Sequence, residues 1–165
     1  MITIDDGYYE DYYLIYPILK KYNFKAVSFL VGSRISNKTK KYNKMDKNFI
    51  GLDVINKIRK EYPFLEFQSH SYNMHIKFNE TAKIHLMDDR ELNEDFRLNK
   101  KYNFSIFAYP YGHFKDQIQY FLKKYNFLFA FTFGKYGHAS RKNKIFFIPR
   151  IKINNSQNFI VVMLI

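Results

Sequence analysis

Lys20-Lys21-Tyr22-Asn23-Phe24 is a five-residue stretch that occurs three times and decides the fold class. It returns as Lys100-Lys101-Tyr102-Asn103-Phe104 and as Lys123-Lys124-Tyr125-Asn126-Phe127. Each copy follows a segment with helical spacing and precedes an apolar run. Lysines suit the last turn of a helix because they face the negative end of its dipole, and asparagine tolerates the left-handed conformation that ends a helix. The repeat therefore predicts three transitions from helix to strand, although a chain rich in Lys, Asn, Tyr and Phe could also repeat by compositional bias.

The apolar runs and the segments between them predict alternating strands and helices. We expect buried strands at residues 2–4, 26–31, 64–67, 105–109, 128–133 and 145–148. We expect helices at residues 12–22, 52–62, 80–102 and 115–125, and a loop at residues 33–48. Such alternation predicts an α/β fold with a parallel sheet or barrel. In those folds the functional residues lie at the carboxyl ends of the strands.

Composition limits the chemistry that the chain can perform. Its 165 residues predict a single domain, residues 1–165. There is no cysteine, which excludes disulfides, thiolate metal sites and cysteine nucleophiles, so a metal must be held by His, Asp or Glu. The formal net charge is +12, from 27 Lys and Arg against 15 Asp and Glu. Because these charges are spread along the chain without an arginine-rich block, we do not expect nucleic acid as a partner.

From the two ends of the sequence we expect neither a signal peptide nor a membrane anchor. Met1 is followed directly by Ile2-Thr3-Ile4 and two acids, without the basic and apolar regions of a signal peptide. The apolar residues 159–165 are far fewer than the roughly 20 of a membrane span. We expect them to form a core segment or a truncated last element, and we expect no transmembrane segment.

The first predicted strand ends in Asp5-Asp6-Gly7. Neighbouring strand residues point to opposite faces, so the two carboxylates are expected to have different roles. Two acids at the end of a buried strand are costly unless they are paired or bind a metal. The alternative is an exposed turn, since Asp-Gly is a common turn dipeptide.

Two histidines, His70 and His75, follow the third predicted strand. A spacing of five residues places them on different faces of a helix and on opposite sides of a strand. A loop that folds back on itself could still bring them together. With one carboxylate they would form a zinc-type site with open positions for water. The alternative is that both histidines are structural or lie on the surface.

Tyr109-Pro110-Tyr111-Gly112 ends the fourth predicted strand. Proline and glycine favour a rigid turn, here with aromatic walls. Backbone N–H groups in such a turn could donate to an oxyanion. A plain turn beside core tyrosines is the alternative.

These three motifs, in this order, resemble those of the polysaccharide deacetylases, the NodB-homology or carbohydrate esterase family 4 domain. Residues 3–7 are similar to the T-F-D-D-G motif, residues 69–75 to the second motif and residues 109–112 to the third. Residues 25–32 resemble the second strand of the family. The likeness covers residues 2 to about 150 and implies a distorted or incomplete (β/α) barrel. The five-residue histidine spacing resembles the branch that deacetylates poly-β-1,6-N-acetylglucosamine.

The resemblance implies a metal-dependent hydrolase that removes N-acetyl groups from the N-acetylglucosamine units of a cell-wall or biofilm polysaccharide. By similarity, Asp6, His70 and His75 would hold a divalent metal ion; zinc is expected, and cobalt or nickel would also suit these ligands. Asp5 would be the general base. The backbone N–H of Tyr111 would stabilise the oxyanion.

The sequence departs from the family pattern in three places. Many members carry arginine where Ala108 stands; Arg150 could supply this charge from a late strand, or could be a surface arginine. The usual late Leu-x-His motif, which provides the general acid, is not evident, so His113 and His138 are the candidates. The chain also starts at the first motif, so we expect a domain truncated at its N-terminus. The alternative function is a catalytically degenerate, glycan-binding relic. The family mostly works outside the cytoplasm; location and oligomeric state stay open.

Overall fold

The computed structural model describes residues 1–40, 48–133, 138–151 and 153. Its strands are β1 (Ile2–Asp6), β2 (Ala26–Leu30), β3 (Leu65–Ser69), β4 (Lys77–Phe78), β5 (Thr81–Ala82), β6 (Ile106–Ala108), β7 (Phe129–Phe133) and β8 (Ile148–Arg150). Six of them form one parallel sheet in the order β1-β2-β3-β6-β7-β8, while β4 and β5 form a small antiparallel hairpin. The predicted α/β class with a parallel sheet is confirmed.

Five α-helices connect the strands. They are α1 (Tyr16–Tyr22), α2 (Leu52–Glu61), α3 (Lys83–Leu86), α4 (Asp89–Asn99) and α5 (Asp116–Lys124). A π-helical turn, Asp11–Ile15, leads into α1, and a 3₁₀ turn, Lys100–Tyr102, continues α4. Two further 3₁₀ turns are Gly32–Arg34 and Pro110–Gly112. No helix in the described ranges is both long and apolar enough to cross a membrane.

The repeated pentapeptide ends helices as the sequence predicts. Asn23, Asn103 and Asn126 all have left-handed backbone conformations, with φ of 54°, 55° and 60°. After two of them the next residue closes the helix end: Phe24 N–H donates to the Leu19 carbonyl at 2.9 Å and Phe127 N–H to the Leu122 carbonyl at 2.9 Å. These six-residue closures are typical of a Schellman motif. The repeat therefore marks the end of α1, of the turn after α4 and of α5.

The sheet curls into a half-barrel whose two faces are packed differently. On β2, Ala26 and Leu30 face the helices, whereas Val27 and Phe29 face the inside of the curl. Across this interior the Phe29 and Phe131 rings lie 5.9 Å apart. In the described part of the chain β1 pairs only with β2, and β8 only with β7. The distorted or incomplete barrel is thus confirmed, and its strands share one carboxyl edge.

The structure corrects two of the predicted elements. The helix expected at residues 80–102 is broken into β5, α3 and α4, because Asp88 starts a new helix. Its Oδ1 accepts from Glu91 N–H at 2.8 Å, and Glu91 Oε2 accepts from Asp88 N–H at 2.9 Å, which is a capping box. The strand expected at residues 145–148 instead begins at Ile148 and contains Pro149, which an edge strand tolerates. Residues 41–47 of the predicted loop and residues 159–165 lie outside the described part.

Asp11, at the beginning of the π-helical turn, is a buried acid beneath the sheet. The Ser28 hydroxyl donates to its Oδ2 at 3.5 Å. Burial, together with the charges of Asp6 and Glu10, raises the pKa of Asp11 to about 8. The carboxyl is therefore mostly protonated at neutral pH.

We expect Asp11→Asn to become more stable relative to the native protein as the pH rises. The unfolded acid loses its proton near its ordinary pKa, about 3.9, whereas the folded acid keeps it to about pH 8. The contribution of Asp11 to stability therefore falls between these values, by up to about 1.4 kcal/mol per pH unit. Urea unfolding of both proteins at pH 5.5, 7 and 8.5 measures the difference in their unfolding free energies. A difference in unfolding free energy that does not change with pH would contradict the raised pKa.

Candidate active site

The carboxyl edge of the half-barrel brings together most of the side chains that the sequence singles out. Asp5 and Asp6 end β1, and His70 directly follows β3. The turn Pro110–Gly112 comes shortly after β6, and Arg150 ends β8. Parallel strands all end at the same side of a sheet, so this arrangement follows from the topology.

A sharp backbone turn points the side chains of Asp5 and Asp6 in different directions. Asp6 has φ of 81° and Gly7 has φ of 76°, so two successive residues are left-handed. A Cβ atom on Gly7 would lie 2.6 Å from Leu30 Cδ2, which only glycine avoids. The turn leaves Asp5 facing β8 and Asp6 facing the histidines.

His70 is almost completely buried, and its ring is fixed from one side. Its Nδ1 lies 2.8 Å from the Ala108 carbonyl oxygen, to which it donates. This bond assigns the proton to Nδ1 and leaves the Nε2 lone pair free. Nε2 lies 3.6 Å from Asp6 Oδ1 and 3.9 Å from Asp5 Oδ2.

His75 completes the group from the far side of the loop. Its Nε2 lies 3.1 Å from Asp6 Oδ1, and its ring centroid lies 4.9 Å from that of His70. Burial and the nearby charge of His70 lower the pKa of His75 to about 4. At neutral pH its imidazole is therefore uncharged and can bind a cation. The Tyr111 ring covers it, with 4.2 Å between centroids.

The three side chains fit a divalent metal. Ligand atoms of Asp6, His70 and His75 all lie within 4.8 Å of one another. Asp6 Oδ1 is buried and has no hydrogen-bond partner, so its close approach to His75 lacks hydrogen-bond geometry. A buried carboxylate oxygen left without a donor is unfavourable unless something else satisfies it. Two imidazole nitrogens and one carboxylate oxygen are a ligand set typical of zinc, cobalt or nickel.

Asp5 is held by an arginine from the opposite edge of the sheet. Arg150 donates to Asp5 Oδ1 at 2.7 Å and to Oδ2 at 2.8 Å. It also donates to Thr3 Oγ1 at 3.1 Å and to the Thr132 carbonyl at 3.3 Å. Burial alone would raise the pKa of Asp5, but the charges of His70 and Arg150 outweigh it and hold this pKa below its usual value. The structure therefore places Arg150 in contact with Asp5; that it positions a catalytic base stays a prediction.

The remaining candidates lie further from the ligand group. Tyr111 sits in the Pro110–Gly112 turn with φ of 58°, beside His75. The ring centroids of His113 and Tyr111 lie 6.1 Å apart. His113 Nδ1 lies 3.1 Å from Nε2 of His85, which is exposed. Burial and the charge of His85 lower the pKa of His113. His138 is exposed and makes no hydrogen bond or ion pair with these residues in the described part of the chain.

The sequence reasoning missed Asp95, whose buried carboxylate accepts from two backbone N–H groups between the histidines. A signal was present. Leu92, Asp95, Phe96 and Asn99 recur at helical spacing on the buried face of α4. An acid and an amide within such an apolar stripe are informative, because buried polar side chains need partners.

Comparison with known proteins identifies relatives. The sequence model of the polysaccharide deacetylase family matches residues 1–130. The poly-beta-1,6-N-acetyl-D-glucosamine N-deacetylase of Staphylococcus aureus (strain MRSA252) is 28% identical over 164 residues, covering 92% of this chain and 52% of that protein. The chain therefore spans about half the length of the curated relatives it matches.

Two solved structures share the fold. The de-N-acetylase from Aggregatibacter actinomycetemcomitans has a TM-score of 0.73 at 24% identity, over 98% of this chain and 72% of that one. The deacetylase PplD of Streptococcus pyogenes, solved with acetate, has a TM-score of 0.72 at 23% identity, over 98% and 67%. Because the family match extends over most of the sequence, the chain belongs to the polysaccharide deacetylase family.

Proposed function

We propose that the chain is a metal-dependent hydrolase that removes N-acetyl groups from the N-acetylglucosamine units of a polysaccharide. One observation carries this proposal: Asp6, His70 and His75 converge beside Asp5, an acid held by arginine, at the carboxyl edge of the sheet. The name of the Staphylococcus aureus relative supports poly-β-1,6-N-acetylglucosamine as the substrate.

Asp6, His70 and His75 would hold the metal ion. When bound there, a divalent metal lowers the pKa of a coordinated water from about 15.7 towards 7 and polarises the acetamide carbonyl. Two features of the fold prepare the imidazoles for a cation. The Ala108 carbonyl assigns the His70 proton to Nδ1, and burial lowers the pKa of His75.

Asp5 would act as the general base. Its two hydrogen bonds from Arg150 fix the carboxylate, and its Oδ2 lies 3.9 Å from His70 Nε2, next to the ligand group. Because its pKa lies below the usual value, Asp5 is a carboxylate at neutral pH and can accept the proton of the attacking water. Arg150 is then a positioning residue for the base.

The turn after β6 would provide the oxyanion donor. Tyr111 has a left-handed backbone and its ring covers His75, so the turn that carries its N–H group lies beside the ligand group. An N–H donor fixed by such a turn needs no rearrangement when charge develops on the carbonyl oxygen. His113, next to Tyr111, is the nearer candidate for the acid that protonates the leaving amine.

A second candidate function is glycan binding without catalysis. It is favoured by His113, which pairs with His85 and has a lowered pKa. A histidine that is mostly unprotonated at neutral pH is a poor general acid. Such a protein would keep its affinity for the sugar without releasing acetate.

Removing a ligand should abolish metal binding and turnover together. Changes to residues that surround the ligands of a metal site typically weaken metal binding by about 10- to 100-fold. Because His70→Ala removes a ligand itself, we expect it to weaken zinc binding by roughly 100-fold or more. His85→Ala is the matched control for zinc affinity, because His85 is exposed and outside the ligand group; it is not a control for turnover, because His85 pairs with His113. Isothermal titration of metal-free protein with zinc, cobalt or nickel measures affinity, and amine release from N-acetylglucosamine oligomers measures activity. Folded native protein that binds none of these metals would refute the proposal.

Removing the base should stop catalysis while leaving the metal bound. Asp5→Asn is expected to lower kcat by about 10²- to 10⁴-fold, the usual contribution of a general base. Arg150→Met should also lower kcat, because it releases Asp5, whereas Arg90→Met alters an exposed arginine and should not. The assay is amine release with zinc affinity measured in parallel. Native-like turnover by Asp5→Asn would rule out Asp5 as the base, and a native protein that binds metal and glycan without turnover would support the second candidate.

A further inference from the structure

The segment between the two histidines has no helix or strand, yet it is bonded at nearly every backbone group. We call residues 71–74 the histidine loop. No regular element brings two residues at a spacing of five together, so the conformation of this loop decides whether His70 and His75 can face one ion. The contacts that hold the loop therefore determine the geometry of the site.

A single carboxylate holds the outer part of the histidine loop. Asp95, on α4, accepts from Tyr72 N–H at 2.7 Å through Oδ1 and from Asn73 N–H at 2.6 Å through Oδ2. Its side chain is buried, and each oxygen takes one donor. Hydrogen bonds to a charged acceptor are roughly twice as strong as those between neutral groups.

The carbonyl groups of the loop are held by the turn that follows β2. Gly32 N–H donates to the Ser71 carbonyl at 3.0 Å, and Ser33 N–H donates to the Tyr72 carbonyl at 2.8 Å. Arg34 Nη2 reaches the His75 carbonyl at 3.4 Å. The histidine loop is thus clamped between α4 on one side and this turn on the other.

Two serines complete the loop from within. Ser69 Oγ accepts from Ser71 N–H at 3.1 Å, and Ser71 Oγ accepts from Met74 N–H at 3.0 Å. Ser71 has φ of 68°, a conformation that is uncommon outside glycine. Such a residue persists where surrounding contacts over-determine it.

Asp95 is costly to the fold by itself. Burial raises its pKa to about 6, and the two backbone bonds oppose that rise. A buried acid in this position lowers the stability of the fold unless its hydrogen bonds to the two N–H groups offset the cost of burial. The carboxylate is therefore better explained by what it holds than by general stability.

We propose that Asp95 is a positioning residue, which shapes the histidine loop so that His70 and His75 present their Nε2 atoms to the same metal ion. This inference rests on the proposed function for the identity of the ligand group. The hydrogen bonds that Asp95 and the turn after β2 make to the histidine loop, which we call the clamp, do not depend on catalysis.

The test compares Asp95→Asn with two controls. Asparagine has the same shape but can accept through only one of its two terminal atoms, so either Tyr72 or Asn73 loses its acceptor. Glu94→Gln removes the neighbouring exposed carboxylate, which pairs with Arg97. Ile58→Val truncates a buried side chain of α2 and weakens a core cluster that contains no residue of the histidine loop. Amide hydrogen exchange is measured on metal-free protein, and zinc affinity is measured by titration.

We expect the Tyr72 and Asn73 amides to exchange faster in Asp95→Asn, with zinc bound about 10- to 100-fold more weakly. Visible absorption of the cobalt-loaded protein should change as well, because the ligand geometry changes. Neither control should alter zinc affinity or exchange at these two amides specifically. Unchanged exchange in Asp95→Asn, or zinc affinity within twofold of the native value, would overturn the proposal.

Amide hydrogen exchange of the metal-free protein also distinguishes failure of this inference from failure of the proposed function. Native protein with protected Tyr72 and Asn73 amides but no metal affinity would refute the metal-dependent hydrolase, while loss of that protection in Asp95→Asn would still support the clamp. Equal loss of zinc affinity in Asp95→Asn and Ile58→Val would instead assign Asp95 a general structural role and overturn the proposal.

Discussion

The ion pair between Asp5 and Arg150 is the interaction on which the position of Asp5 in the site depends. It joins β1 and β8, the two edges of the sheet, which share no backbone pairing in the described ranges. The two side chains are 26% and 10% exposed, so either charge left alone would be poorly solvated. Together they form a two-point, charge-assisted contact. The same contact therefore links the two edges of the half-barrel and helps to keep the Asp5 carboxylate ionised beside the ligand group.

Asp5, His70 and the loop before His75 are each fixed by hydrogen bonds to a different element of the fold. Arg150 fixes Asp5 from β8, and the Ala108 carbonyl fixes His70 from β6. Asp95 fixes the loop before His75 from α4. Groups held in this way need little rearrangement when a ligand arrives, which is the general requirement for a pre-organised site. The site is thus a property of the whole half-barrel, since no single motif contains the contacts that position it.

Local patterns were readable from the sequence, whereas contacts between distant segments were not. The asparagines at 23, 103 and 126 act through their own backbone conformations, so the repeat was sufficient to locate helix ends. Asp5-Asp6-Gly7 likewise carries its turn within three residues. The break at Asp88 was missed because its capping box lies in a run of charges that also suits a continuous helix. The role of Asp95 depends on partners 22 and 23 residues away, and no spacing rule connects them.

The buried carboxylates near the carboxyl edge of the sheet indicate whether a cation binds at this site. Asp6 Oδ1 lacks a hydrogen-bond partner, and burial raises the pKa of Asp95. Replacing buried charges with apolar side chains of similar size is often neutral or stabilising. A chain that needed only to fold gains nothing from a carboxylate oxygen left without a donor between two imidazoles. A cation in that position would satisfy all three groups at once, so the arrangement supports the proposed metal site.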